Sequence, residues 1–153
     1  LTKTGVRTFE AAAFLRRCGA DVTRVRKMFR EHVEDYRAKG EAIRNAELFR
    51  EHFAISVCPS EGLDSPTVVG AQAANELLNI IGVKASFVLT DYRNTIYISA
   101  RSIDEINVQI VMERLGGGGH LNIAGAQLEH YSITEAKDVL KQTLQKMLDE
   151  GDI

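Results

Sequence analysis

Four consecutive glycines, Gly116, Gly117, Gly118 and Gly119, run directly into His120. Glycine loses more backbone freedom on ordering than any other residue, so a run of four asks what offsets that cost. One glycine after a helix is commonly a left-handed cap, which accounts for Gly116 alone. Successive glycines also let backbone N–H groups approach an anion without Cβ interference, as phosphate loops do; a hinge or turn is the plainer use. His120 adds a ring nitrogen donor and a flat ring. Upstream, "ISARS" places Ser99, Arg101 and Ser102 together, two hydroxyls around a guanidinium suited to bidentate phosphate binding. On a strand, Ser99 and Arg101 project to one face, and Asn107, just into the next helix, comes near the same strand end. Each has an ordinary reading: Arg101 as an ion-pair partner, Ser102 as a cap, Asn107 as an exposed helix residue, His120 as a satisfied loop histidine. Taken together beside the glycines, they point to an anion site.

The elements that must position these residues are legible in outline. The first fifty residues read as helical: "TFEAAAFLRRCG" stops at Gly19, Asp21 is placed to cap "VTRVRKMFREH", and a third helix is expected through "VEDYRAKGEAIRNAELFREH". The texture changes near His52. "FAISVC" alternates as a strand, turn formers fill 59–66, and "TVVGAQAANELLNIIG" reads as a helix closing at Gly82. "KASFVLTDY" and "TIYISAR" flank Arg93-Asn94 as a hairpin with a short turn. "DEINVQIVMERL" predicts a helix capped by Asp104 or Ser102, with Ile106, Ile110, Val111 and Leu115 on one face. "AGAQLEHYSI" predicts a last strand, and Thr134 a cap for the terminal helix with Val139, Leu140, Leu144 and Met147 as its apolar stripe. The expected fold class is α/β: a helical N-terminal arm over 1–52, then a compact mixed α/β domain over 53–153 with a small central sheet flanked by helices.

Composition bounds the rest. The 153 residues are 44% hydrophobic and 26% charged, values typical of soluble domains, and no apolar run is long enough to cross a bilayer. The chain begins at Leu1 without a signal-like segment, and so reads as part of a longer protein. Cys18 and Cys58 lie forty positions apart with no CxxC spacing, which argues against a disulfide framework or structural zinc and for a reduced, cytoplasmic setting. Charge is uneven: residues 1–50 hold twelve Lys and Arg against seven Asp and Glu, whereas 51–153 hold seven against fourteen. A basic segment suits phosphate, and it equally suits a solvated helical face.

"SARS", followed by "INVQIVMERLGGGGH" and "AGAQL", resembles the DHH-associated domain of the DHH phosphoesterase superfamily, whose hallmark is a GGGH element followed by a patch of small residues. Within it, the chain is most similar to the C-terminal part of membrane-anchored cyclic di-AMP phosphodiesterases, which carry PAS-like and degenerate GGDEF domains upstream. "TGVRTFEAAAFLRRCGADV" resembles the end of the DHH domain and the helices that follow it. The resemblance implies a two-lobed hydrolase: a DHH lobe holding two manganese ions, and an associated lobe that grips the nucleotide. It implies that Ser99, Arg101, Ser102 and Asn107 contact phosphate or sugar, that Gly116 to Gly119 let the loop approach the nucleotide opposite the metals, and that His120 lies beside the phosphate. The DHH motif is absent from this chain, so no metal is expected on it, nor hydrolysis by it alone. The family usually has alanine three positions after the histidine; here that residue is Ile123.

Two functions are therefore expected. The first is the substrate-binding lobe of a phosphodiesterase converting cyclic di-AMP to pApA, partnered by the DHH lobe of the same protein, cytoplasmic and tethered to the membrane by segments outside this chain. The second is a module for single-stranded nucleic acid or short oligoribonucleotides, motivated by Arg16, Arg17, Arg24, Arg26, Lys27 and Arg30. At 7% aromatic residues with no tryptophan, the basic stretch offers no row of stacking rings for such a strand. The helical arm also suits homodimerisation.

Overall fold

The computed structural model describes residues 4–103 and 106–153, so Asp104, one expected helix cap, lies outside the described residues. The chain divides into two units, Leu1–His32 and Val33–Ile153. The first holds α1 (Val6–Arg17) and α2 (Val22–Lys27). Asp21 caps α2 as its sequence position suggested, its carboxylate accepting the Thr23 N–H at 2.8 Å. The helix ends at Lys27, short of the expected His32. None of the described residues of this unit is buried, and Phe9, Phe14, Met28 and Phe29 are each more than half exposed.

The second unit is a six-stranded mixed sheet with helices on both faces. Its elements are α3 (Val33–Arg44), β1 (Glu47–Phe49), β2 (Phe53–Val57), α4 (Pro66–Leu77), β3 (Ala85–Tyr92), β4 (Thr95–Ser102), α5 (Val108–Arg114), β5 (Gly118–His120), β6 (Ile123–Glu129) and α6 (Ile133–Glu150), with spatial strand order β1-β2-β3-β4-β6-β5. Only β2 and β3 run parallel, joined through α4. The α/β class is as expected; the elements differ in detail. The helix foreseen through His52 stops at Arg44, and Glu47–Phe49 pairs with β2 around left-handed Arg50 and Glu51, strand pairing overriding helix propensity. Helix α3 belongs to the sheet unit, because Ala38 and Ala42 are buried in its core. Helix α4 ends at Leu77, before Gly82. Ser132 rather than Thr134 caps α6, in a capping box with Glu135. Asn107, not Ser102, caps α5.

Two cores sandwich the sheet. Phe53, Ile55, Phe87, Leu89, Ile96 and Ile98 meet α5 and α6 on one face. Alternate residues of the same strands, Ala54 and Val88, with Cys58 just past the end of β2, meet α3 and α4 on the other. That second core is built from small side chains, and the close helix approach leaves buried hydroxyls in bonding range of helix carbonyls. Ser56 donates to the Ala42 carbonyl at 2.5 Å and Ser86 to the Ala74 carbonyl at 2.6 Å. At Gly70 a Cβ would strike the Thr90 hydroxyl.

The α5–β5 turn explains most of the glycine run. Gly117 N–H bonds to the Met112 carbonyl at 2.8 Å and Gly116 N–H to that of Glu113 at 3.0 Å, a Schellman ending with Gly116 left-handed at φ 77°. A Cβ on Gly117 would overlap the Gly125 carbonyl and stand 2.6 Å from Ala126 Cα; one on Gly119 would stand 2.5 Å from Ala124 Cα. Gly118 alone of the four has neither a positive φ nor a neighbour within 4 Å of a built Cβ.

Two outcomes test this packing. Gly117→Ala should lower unfolding free energy by about 1–3 kcal/mol through overpacking, whereas Gly118→Ala should stay within ~0.5 kcal/mol of wild type; urea titration followed by circular dichroism distinguishes them. Burial, with Glu41 adding to it, pushes the Cys58 thiol up to about 11 from 9.0. The unfolded chain therefore sheds this proton first, and the stability contributed by Cys58 is whole below about pH 9 and lost as the pH climbs toward 11. Between those pH values the melting temperature of wild type should fall more than that of Cys58→Ala, and in the native chain a thiol reagent should modify exposed Cys18 while sparing Cys58.

Candidate functional site

Strand β4 splits its side chains by alternation: Ile96, Ile98 and Ala100 enter the core beneath α5 and α6, while Tyr97, Ser99 and Arg101 point to the opposite face. Helix α4 covers that opposite face over β3 and reaches part of β4, but β6 and β5 lie beyond it. Along β6 the residues on this uncovered face, Ile123, Gly125, Gln127 and Glu129, are exposed or half-buried, while Ala124, Ala126 and Leu128 beneath them are buried.

Pairing fixes which side chains stand beside one another on the open face. One row across β4, β6 and β5 is Arg101, Ile123, His120; the next is Ser99, Gly125, Gly118; a third is Tyr97 beside Gln127. The middle row carries one hydroxyl and two glycines, so it forms a floor between two rows that do carry larger side chains. The resulting groove has a volume of about 530 Å³ and is lined by Ser99, Gly116, Gly117, Gly118, Gly125 and, from the start of α4, Thr67, with Tyr97 and Gln127 at one end. That size is in the range of small-ligand sites, ~300–1,000 Å³.

The guanidinium of Arg101 is held on this face by two hydrogen bonds, to Asn75 Oδ1 on α4 at 3.1 Å and to the Ala100 carbonyl at 2.9 Å. Partial burial lowers its pKa from the usual arginine value, yet a guanidinium remains cationic at neutral pH. A half-buried cation whose geometry is already fixed loses less on binding an anion than a free surface side chain does.

The sequence-predicted residues separate into two groups. Ser99, Arg101, Gly118 and His120 share the open face; Ser99 and Gly118 line the groove with Gly116 and Gly117, whereas Arg101 and His120 stand in the neighbouring row outside its lining. Ser102 is buried on the other face, where its hydroxyl donates to the Leu121 carbonyl at 3.3 Å and accepts from Asn122 Nδ2 at 3.3 Å. Asn107 Oδ1 accepts the Gln109 N–H at 3.0 Å, closing the first turn of α5. With the Val108 N–H on the Leu121 carbonyl at 3.0 Å, these bonds fasten the 121–122 turn and so hold β5 against β6. Gly119 lies within β5 opposite Ala124, on the side away from the open face. Sequence reasoning missed Asn75, Thr67, Tyr97, Gly125 and Gln127. The alternation of "TIYISAR" carried a signal for Tyr97; the others depend on strand order and helix placement. Ile123, where the family pattern has alanine, stands between Arg101 and His120 and is 44% exposed. Among the described residues no three His, Cys, Asp or Glu side chains converge as a metal site, and no helix is long and apolar enough to cross a membrane.

Comparison with known proteins places the chain in a family. Residues 52–147 match the DHHA1 domain. The chain is 40% identical over 150 residues to "Cyclic-di-AMP phosphodiesterase GdpP" of Geobacillus thermodenitrificans, covering 97% of this chain and 23% of that protein. It is 41% identical over 139 residues to "Cyclic-di-AMP phosphodiesterase PdeA" of Listeria monocytogenes, covering 90% and 21%. The chain thus spans less than a quarter of the length of these curated relatives. Its fold is that of an exopolyphosphatase-related protein from Bacteroides fragilis, with a TM-score of 0.80 at 22% identity over 94% of this chain and 44% of the other. Because the domain match takes in every strand from β3 to β6 and both walls of the groove, the chain belongs to the DHHA1 domain family.

Proposed function

We propose that this chain is the substrate-binding lobe of a metal-dependent phosphodiesterase that hydrolyses cyclic di-AMP to linear pApA. The observation that carries it is the open-face row structure: a braced cation, Arg101, one row from a floor of Ser99, Gly125 and Gly118 that admits a ligand close to the backbone. The relatives named as cyclic di-AMP phosphodiesterases supply the substrate. In this reading Arg101 neutralises a phosphate oxygen through paired N–H donors, Ser99 donates a hydroxyl beside it, and His120 faces the same anion from β5. The glycine floor lets sugar and phosphate lie against the sheet.

The chemistry at phosphorus belongs to the DHH lobe, where two manganese ions would activate water and stabilise charge; no step is assigned to them on this chain. Residues 1–32 fit as the end of that lobe, while α3 and β1, expected in the connector, are built into the sheet unit. The unburied Phe9, Phe14, Met28 and Phe29 give 1–32 the apolar surface that docking to a larger lobe would cover. The protein would then work on the cytoplasmic side of a membrane to which other segments tether it. Binding of single-stranded nucleic acid through Arg16, Arg17, Arg24, Arg26, Lys27 and Arg30 is the competing reading.

Hydrolysis of cyclic di-AMP by the full-length protein with manganese should fall at least tenfold in Arg101→Ala and also in Gly118→Val, whose added side chain fills the floor without touching the core. Melting temperatures should stay near wild type. Unchanged turnover in both variants overturns the site. A labelled single strand that binds this chain more tightly than cyclic di-AMP, with affinity falling steeply as salt rises, would favour the competing reading.

A further inference from the structure

Tyr97 and Gln127 face each other across β4 and β6 at the end of the groove remote from Arg101. Neither is needed by the fold there: Gln127 is exposed and Tyr97 half-buried. Tyr97 is nevertheless held. Its ring lies 6.5 Å from that of Tyr92 at an interplanar angle of 50°, and the Arg93 guanidinium sits 5.0 Å over the Tyr92 ring. On its β3 side Tyr97 pairs with Thr90, which is buried against Gly70 of α4, so the tyrosine marks the line where helical cover ends. Along β4 the steps from Tyr97 to Ser99 and from Ser99 to Arg101 are each ~6.6 Å. A flat group at Tyr97 and an anion near Ser99 and Arg101 can thus be parts of one ligand laid along the strand.

We infer that Tyr97 and Gln127 form a base subsite in which a purine stacks on the tyrosine ring and its edge is hydrogen-bonded by the carboxamide. This rests on the phosphodiesterase-lobe reading and adds to it which residues hold the base. Stacking on an aromatic ring tolerates any base, so any reading of the base edge falls to the side chain at 127. A carboxamide offers one acceptor oxygen and one donor nitrogen side by side. Adenine answers with a donor amine at N6 beside an acceptor ring nitrogen, giving two matched bonds. Guanine presents two acceptors, O6 and N7, on one edge, and adjacent donors, N1–H and the N2 amine, on the other. Its O6 acceptor beside N1–H can also take both bonds of an amide, so a carboxamide admits either purine, whereas the paired donors N1–H and the N2 amine match a carboxylate.

The test is made in the full-length protein with manganese, measuring kcat/KM for cyclic di-AMP and cyclic di-GMP side by side in wild type, Gln127→Glu, Tyr97→Phe, Tyr97→Ala and, as the reference for the groove itself, Arg101→Ala. Gln127→Glu should move the adenine-to-guanine ratio by at least tenfold toward guanine. Tyr97→Phe should keep most of the activity on both substrates, and Tyr97→Ala should lose about tenfold or more on both. Melting curves exclude unfolding as the cause, since both side chains lie on the sheet surface. If Arg101→Ala abolishes hydrolysis while Gln127→Glu leaves the ratio within twofold of wild type, the base subsite is wrong and the lobe reading stands. If Arg101→Ala also leaves hydrolysis intact, both fall.

Discussion

Six strands at ~4.8 Å spacing make a sheet about 24 Å across, and a helix with its side chains covers only about 10 Å of it. Two helices laid side by side cannot roof one face completely. In this chain α3 and α4 sit over the β2–β3 side, drawn close by Gly70, Ala73 and Ala74 and by the Ser56 and Ser86 hydroxyls that reach helix carbonyls. Everything on the far side of α4 is left uncovered on that face. The groove follows from this shortfall of helical cover, and its residues are what the sequence placed on the exposed surface.

An uncovered sheet face would ordinarily carry long polar side chains. Here two of its positions, Gly125 and Gly118, are glycines in register, and they make a depression where side chains would otherwise stand. The same turn that supplies Gly118 needs Gly116, Gly117 and Gly119 for reasons of its own, a left-handed cap and two close approaches to β6. Three members of the run thus answer the packing of the turn, and Gly118 leaves the floor of the groove open. The entropic cost of ordering four glycines is offset chiefly by the packing that brings β5 flat against β6.

How much of this could be read from sequence depended on the range of the interaction. The hairpin at Arg93-Asn94 was legible because two left-handed residues between alternating strands are a local signal, and both adopt φ near 60°. The amphipathic stripe of α6 was legible for the same reason: Leu140, Leu144 and Met147 all enter the core. β1 was not, since Glu47–Phe49 has ordinary helix formers before it and becomes a strand only by pairing with β2. β5 was hidden by its glycines. At the site, Ser99 and Arg101 were placed on one face by alternation alone, whereas the partnership of Arg101 with Asn75 joins positions 26 apart and depends on where α4 lands. Ser102 and Asn107 shared the motif with the groove residues, and motif membership does not distinguish a side chain that faces a ligand from one that holds the loop.

Strand β4 also links register to function. Its even-numbered residues from Ile96 to Ala100 fill the α5–α6 core and its odd-numbered residues from Tyr97 to Arg101 stand on the open face, where Tyr97 and Ser99 line the groove, so a slip of one residue would bury a guanidinium and expose two isoleucines. The two-residue turn at Arg93-Asn94 sets the pairing with β3, and the bonds of Ser102 and Asn122 set the far end against the 121–122 turn. The strand is pinned at both ends by groups that never enter the groove. Hydrophobic burial of Ile96 and Ile98, at about 1.5–3 kcal/mol each, thereby holds Ser99 and Arg101 in place, and the positioning of the open-face residues is a consequence of core packing on the opposite side of the same strand.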